Sequence, residues 1–369
     1  MSTLLTIRQL AVLAGVSRTT VSLALRNHPS IPESTRNRIL TLAKEHGYTP
    51  DPLVSTLMNQ LRTSRKKRDV EKLAYFTFWN TPDGWRENIN EFAYYTGACE
   101  RAAQLGYEIE HFWAKEPGIS SARMSRILYT RGIRGVVFGP LPRHLGHVSL
   151  DWRYFACAAL GLTIVRPLLH RASHSYHDGM MLTLRTLRRM GYKRIGFANS
   201  ALFDQRVKHG WLSGFLTFQH QLPAAQCVPP LLVPEWNFGR HMTRPFASSP
   251  DIGLHALGSA LAWNPDKFVK WVEQFRPDVV VSNTCHPLVF LREMGVRVPE
   301  EIGFASLHRL LDTDPIAGID RLPRMIGSAA VDLVVAQLQN NEFGLPERAK
   351  TVVIEGVWRD GPTVIAGHA

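Results

Sequence analysis

The chain has 369 residues, 45% of them hydrophobic and 20% charged, which is long enough for two or three domains with sizeable cores and excludes a small stapled module. Its formal charge of +12 is unevenly placed: residues 1–72 hold twelve Lys and Arg against five Asp and Glu, leaving +5 for the other 297. That asymmetry points to nucleic acid at the N-terminal end, against the alternative of a basic protein with evenly solvated surface charge.

Residues 6–27, TIRQLAVLAGVSRTTVSLALRN, read as two short helices joined at a tight turn. Thr6 is placed to cap the first, whose Ile7, Leu10, Ala11 and Ala14 recur at helical spacing, and Gly15 supplies the left-handed position that ends it. Ser17 caps the second. There Val21, Ala24 and Leu25 form an apolar face, while Arg18, Thr19, Thr20 and Ser22 sit near the N-terminal end and away from the core. Short polar and basic side chains at the start of a helix suit a DNA major groove: Arg pairs with guanine O6 and N7, Thr meets a thymine methyl or a phosphate, and the helix terminus attracts phosphate. The pattern is a helix-turn-helix, with an ordinary helical hairpin as the alternative. A third helix over 33–46 carries Ile39, Leu42 and Ala43 as its apolar stripe and ends at Gly47.

The run GVSRTTVSLALRN followed by IPESTRNRILTLAKEHGYTPDP resembles the N-terminal signature of the lac-repressor-like (LacI/GalR) family of bacterial transcription regulators. The likeness is dense over about the first 60 residues and scattered beyond them. It implies DNA contacts by Thr6, Ser17, Arg18, Thr19, Thr20, Ser22 and Asn27, with base reading at Arg18, Thr19 and Leu23. Leu23 departs from the arginine common at that place, so a relative's operator sequence does not carry over.

After Gly47, Asp51 can serve as N-cap and Pro52 as first residue of a short helix in which Leu53, Leu57 and Leu61 lie four apart. A helix of two to three turns is marginal alone in water and needs a partner, the dimer mate or DNA. The resemblance makes it a hinge helix that folds on the operator and pushes Leu57 into the minor groove, a known way to kink DNA; packing on the domain behind it is the alternative. Residues 62–72, RTSRKKRDVEK, form a basic linker that either follows the phosphate backbone or tethers flexibly.

From Leu73 the periodicity changes to buried strands alternating with helices. LAYFTFWN, a helix over 86–105, YEIEHFWA, a helix near 121–130 and GVVFGP make one series. A helix over 178–190, RIGFANS, a helix over 205–219, a helix over 266–275 and DVVVSN make a second, followed by IGFASL, a helix over 325–340 and the end strand TVVIEGVW. The fold expected is therefore an N-terminal all-α helix-turn-helix domain plus an α/β domain of two parallel-sheet subdomains, which the resemblance identifies with a periplasmic-binding-protein-like effector domain. The domains expected are 1–48 for DNA binding, 49–72 for hinge and linker, and 73–369 for effector binding and dimerisation, with lobes of 73–172 plus 300–325 and 173–299 plus 326–369.

Ligands in such folds sit at the carboxyl ends of the strands. By that rule the effector candidates are Asn80, Trp85, Asn199, Asp204, Asn283 and His308, each with a loop or capping role as its alternative. Sugar-responsive relatives carry an arginine where this chain has Trp211, before Gly214-Phe215, and Asn-Asp where it reads Asn283-Thr284. Trp211 either stacks on a ligand or belongs to the core.

His170, His174 and His177, followed by Asp178, have the raw spacing of a metal site, against the reading of a polar loop at the cleft edge; no metal and no cofactor is expected. No G-x-S-x-G, P-loop or H-E-x-x-H occurs, so no enzyme is expected. Cys99, Cys157, Cys227 and Cys285 form no CxxC pair and fit a reducing cytoplasm, and no leader or apolar run of membrane length is seen. The function expected is a regulator, a repressor, that binds palindromic double-stranded DNA as a homodimer and answers to a small molecule, a sugar being one candidate. The competing classes are an architectural DNA-binding protein and a small-molecule-binding protein.

Overall fold

The computed structural model describes residues 7–25, 28, 30–46, 48, 70–142, 145–234, 263–309 and 315–367. Three helices open the chain: α1 (Ile7–Ala14), α2 (Arg18–Leu25) and α3 (Glu33–Glu45). Leu10, Ala11, Ala14, Val21, Ala24, Ile39 and Ala43, which helical spacing put on the inner faces, close into one small core together with Ile31 from the turn between α2 and α3. Arg38 of α3 donates to the Ala14 carbonyl at 3.2 Å, satisfying an acceptor that the end of α1 leaves open.

From β1 (Glu71–Thr77) the chain runs through α4 (Ile89–Gln104), β2 (Tyr107–Trp113), α5 (Ser121–Thr130), β3 (Gly135–Phe138), β4 (Gly146–His147), β5 (Ala156–Leu160), β6 (Ile164–Arg166) and β7 (His170–His174). Next come α6 (Tyr176–Arg189), β8 (Ile195–Ser200), α7 (Ala201–Arg206), α8 (Gly210–Gln219), β9 (Leu231–Val233), α9 (Pro265–Phe275), β10 (Val279–Ser282), α10 (His286–Glu293) and β11 (Gly303–Arg309). It ends with β12 (Gly318–Asp320), α11 (Pro323–Asn340), β13 (Thr351–Ile354) and β14 (Val357–Arg359). Two six-stranded sheets result, in the orders β13-β7-β5-β3-β1-β2 and β14-β12-β11-β10-β8-β9. The first is parallel throughout, and in the second only β14 runs antiparallel. Apolar clusters cover both faces of each sheet, which is why its central strands are continuous hydrophobic runs.

The chain passes between the sheets at β7 to α6, at β12 to α11 and at β13 to β14. This corrects the expected exchange of segments. β11 and β12 belong to the second sheet, while α11 and β13 return to the first, so the expected 300–325 segment lies with the second lobe up to about residue 322, and 323–354 lies with the first. The end run TVVIEGVW is likewise two strands in different sheets, divided at Glu355-Gly356. Strand runs in sequence show that a segment is buried, but pairing depends on which sheet edge is open.

α4 and α11 meet backbone to backbone through two glycines. A Cβ on Gly97 would lie 2.0 Å from the Arg324 carbonyl oxygen, and one on Gly327 would lie 2.1 Å from that of Tyr94. This crossing holds the second chain passage, from β12 to α11, against the first lobe. Among the described residues no helix is long and apolar enough to cross a membrane.

Candidate functional site

The first site is the exposed end of α2. Gly15, at φ 63°, turns the chain, and the Val16 amide bonds back to the Ala11 carbonyl at 3.1 Å. Ser17 then caps α2: its Oγ accepts from the Thr20 amide at 3.0 Å and lies 2.8 Å from the Thr20 hydroxyl. Val21 and Ala24 anchor the opposite side in the core. Ser17, Arg18 and Thr19 are left exposed and Thr20 and Ser22 half-buried, so a polar, basic surface stands at the positive end of the helix dipole. Leu23 is partly buried against the three-helix core. Thr6, Asn27 and Leu57, with the hinge region 49–69, lie outside the described residues.

The second site lies between the lobes, where the six strand-end candidates and Trp211 divide. Asn80 is exposed and accepts from Lys115 at 3.0 Å. Trp85 is fully buried in an aromatic cluster, with Tyr95 at 4.6 Å, His111 at 5.1 Å and Tyr75 at 6.4 Å between ring centroids. Asp204 is occupied within its own lobe: its carboxylate takes the His209 ring at 2.8 Å and the Leu212 amide at 3.1 Å. That capture breaks the expected single helix over 205–219, with Lys208 and His209 left-handed at φ 54° and 57° between α7 and α8. Trp211 stands edge-on to Tyr176 at 5.2 Å inside the second-lobe core, so of its two readings the geometry favours packing. Asn199 lies near the carboxyl end of β8 and Asn283 directly follows β10, its neighbour in the sheet. The Asn199 side chain is fully buried with neither amide atom partnered, and Asn283 Oδ1 is buried without a partner. His308, at the end of β11, reaches across to Asn90 of α4 at 3.4 Å.

Further residues complete this cleft and were not singled out by sequence reasoning as ligand contacts. Asn88 caps α4 by accepting from the Glu91 amide at 3.0 Å, which puts Asn90, Glu91 and Tyr94 on its first turns. The Asn-x-x-Glu spacing is a visible capping signal, but it predicts a solvated carboxylate. Instead Glu91 is buried, and burial pushes its carboxyl up to about 8, with Arg206 across the cleft pulling the other way. Arg206 of α7 also donates to the Leu141 carbonyl of the first lobe at 2.8 Å. His174 closes β7 with its Nδ1 3.2 Å from the Ile354 carbonyl; burial, then Arg321, lowers it to about 3. His308 is held well below the ordinary histidine range by burial, then Arg321 and His174. Arg321, in the passage from β12 to α11, is 7% exposed.

The histidine run is not the helix face that its spacing allowed. His170 and His174 lie in a buried strand and His177 in the helix after it, and among the described residues no group of three or more His, Cys, Asp or Glu is placed to hold a metal.

Residues 6–51 match the family described as bacterial regulatory proteins, lacI family. The "Probable HTH-type transcriptional repressor ExuR" of Bacillus subtilis (strain 168) is 47% identical over 57 residues, an alignment spanning 15% of this chain and 17% of that protein. Two solved structures share the architecture over nearly the whole chain. The transcriptional regulator CelR in complex with cellobiose is 15% identical, with 97% of this chain and 99% of that one covered and a TM-score of 0.53. The lac repressor dimer bound to operator and the anti-inducer ONPF is 14% identical, with 99% and 100% covered and a TM-score of 0.53. At those identities the structures speak to fold, and the N-terminal match speaks to kinship. Residues 6–51 thus match the lacI family of bacterial regulatory proteins, and the two-lobed fold behind them is the one these two solved structures share.

Proposed function

We propose that the chain is a sequence-specific transcriptional repressor of the cytoplasm, a regulator rather than an enzyme, that reads a palindromic operator as a homodimer and is switched by a small molecule between its lobes. The observation that carries this reading is the surface at the start of α2: Arg18 and Thr19 exposed at a helix N-terminus, with Val21 and Ala24 locking the other face. In that position Arg18 meets a guanine edge, Thr19, Thr20 and Ser22 meet bases or phosphates, and the Ser17-capped terminus faces the backbone. Thr6 and Asn27 would flank it as phosphate contacts. One helix covers only a few base pairs, so two copies related by a dimer axis are needed for useful specificity.

We assign residues 1–48 to DNA reading, 49–72 to hinge and linker, with Leu57 as minor-groove wedge, and 73–369 to effector binding and dimerisation. The ligand set we favour is Asn199, Asn283 and His308 from the candidates, joined by Glu91, Arg206 and Arg321. Contacts that cross the cleft, Arg206 to Leu141 at 2.8 Å and His308 to Asn90 at 3.4 Å, are those a change in lobe angle would alter. A ligand switches the protein only through its differential affinity for the two lobe arrangements. The test is selection of bound sequences from a random duplex pool with the purified full-length chain at physiological salt. An enriched palindrome with a flexible pyrimidine–purine step at its centre is expected. Salt-sensitive binding with no enriched motif overturns the reading in favour of an architectural protein.

A further inference from the structure

We propose that the ligand of the interlobe cleft is a polyhydroxylated organic anion whose carboxylate or phosphate ester is seated on the guanidinium of Arg321. The proposal rests on the cleft being the effector site and adds the chemical class of what fills it.

Arg321 is buried and its Nε has no partner. The acid beside it in sequence, Asp320, is committed elsewhere, accepting from the Leu322 amide at 2.9 Å and pairing with Arg359 at 3.4 Å. Glu91, the buried carboxyl of the cleft, faces Arg206 instead. Tyr94, His174 and His308 all lie within reach of its charge, and none of them is anionic. An uncompensated buried cation costs several kcal/mol, and a protein normally removes that cost by pairing it. Among the described residues no ion pair to Arg321 is formed, and the planar fork of arginine matches a carboxylate or phosphate with two parallel hydrogen bonds.

The neighbours say what else the ligand carries. With Nδ1 of His174 donating to the Ile354 carbonyl, Nε2 of the neutral ring is left as an acceptor, and this atom too is buried without a partner. It suits a hydroxyl donor rather than a second anionic oxygen. Across the cleft the buried amide of Asn199 and Oδ1 of Asn283 are unpartnered as well, and an amide both donates to and accepts from a hydroxyl. One anionic end and several hydroxyls describe a sugar acid or a sugar phosphate. Arg321 lies on the passage from β12 to α11, between the sheets, so an anion drawn onto it bears directly on a chain segment joining the lobes.

The test is thermal stabilisation and calorimetric binding on the full-length protein with D-gluconate, D-glucuronate, glucose 6-phosphate and D-glucose at matched ionic strength, for the natural chain, Arg321→Gln and Arg321→Lys. The expected result is that at least one acid or phosphate raises the melting temperature in a saturable way while D-glucose does not. Arg321→Gln should weaken that binding by on the order of 100-fold, as loss of a desolvated charge pair does, and Arg321→Lys less, since it keeps the charge and loses the fork. The acids and glucose 6-phosphate separate the two sources of the anion. Without ligand, Arg321→Gln should melt no lower than the natural chain, because it removes an unpaired buried charge. D-glucose binding as tightly as its acids, or no anion stabilising the natural chain beyond Arg321→Gln, overturns the proposal. An enriched palindrome with no Arg321-dependent anion binding would sink this inference alone; anion binding without a palindrome would sink the regulator reading alone.

Discussion

Changing Glu91 to Gln should abolish most of the loss of stability that the protein shows between pH 6.5 and pH 8. The carboxyl of Glu91 is raised from 4.5 to about 8 by burial, so the folded state holds a proton that the unfolded chain has released. A group with a raised folded pKa stabilises fully below its unfolded value and loses that stability as pH rises through the folded one. Over 1.5 pH units at 1.36 kcal/mol per unit, the loss is about 2 kcal/mol. For a body of about 300 residues this corresponds to a melting-temperature fall of about 3 °C. Gln keeps the size and the neutral charge of the protonated acid, so its melting curve should be flatter by that amount, as read by calorimetry at four pH values in one buffer ionic strength. Parallel curves for the two proteins would falsify the claim that Glu91 is protonated in the folded protein.

The acid side has the opposite sign: His174, lowered to about 3, and His286, lowered to about 4, are neutral when folded, so stability is lost as pH falls below 6.5. Replacing either with Gln should soften that limb in a pH-dependent melt. Gly97→Ala forces a methyl against the Arg324 carbonyl and should cost about 1–3 kcal/mol, seen as a lower denaturant midpoint; an unchanged midpoint would mean that α4 and α11 part easily. Ser17→Ala removes the α2 cap and should cost about 1 kcal/mol, with operator affinity falling in step in a gel-shift titration. Arg18→Ala should relax preference at one base pair by about 1–3 kcal/mol; equal weakening on every sequence would exclude base reading by this side chain. Leu57→Ala should weaken operator binding while leaving the melting of the two-lobed domain unchanged, and intact affinity would refute the minor-groove wedge.

Local chemistry carried the N-terminal domain in full view. Gly15, Ser17 and the apolar residues at helical spacing determine two capped helices and which side of α2 remains exposed, because those choices depend on neighbours three and four positions away. The alternation of buried strands and helices likewise determined two parallel sheets and which strand ends would face a cleft. Tertiary structure alone decided where each late segment returned: β11 and β12 look no different in sequence from first-lobe strands, and only the open sheet edge assigned them. It also decided the chemistry of the cleft. Glu91 reads as an N-terminal helix residue and His174 as a loop histidine, nothing in sequence marks Arg321, and all three are buried in the folded chain. Burial of this kind is a property of two distant segments together, and no stretch of sequence contains it by itself.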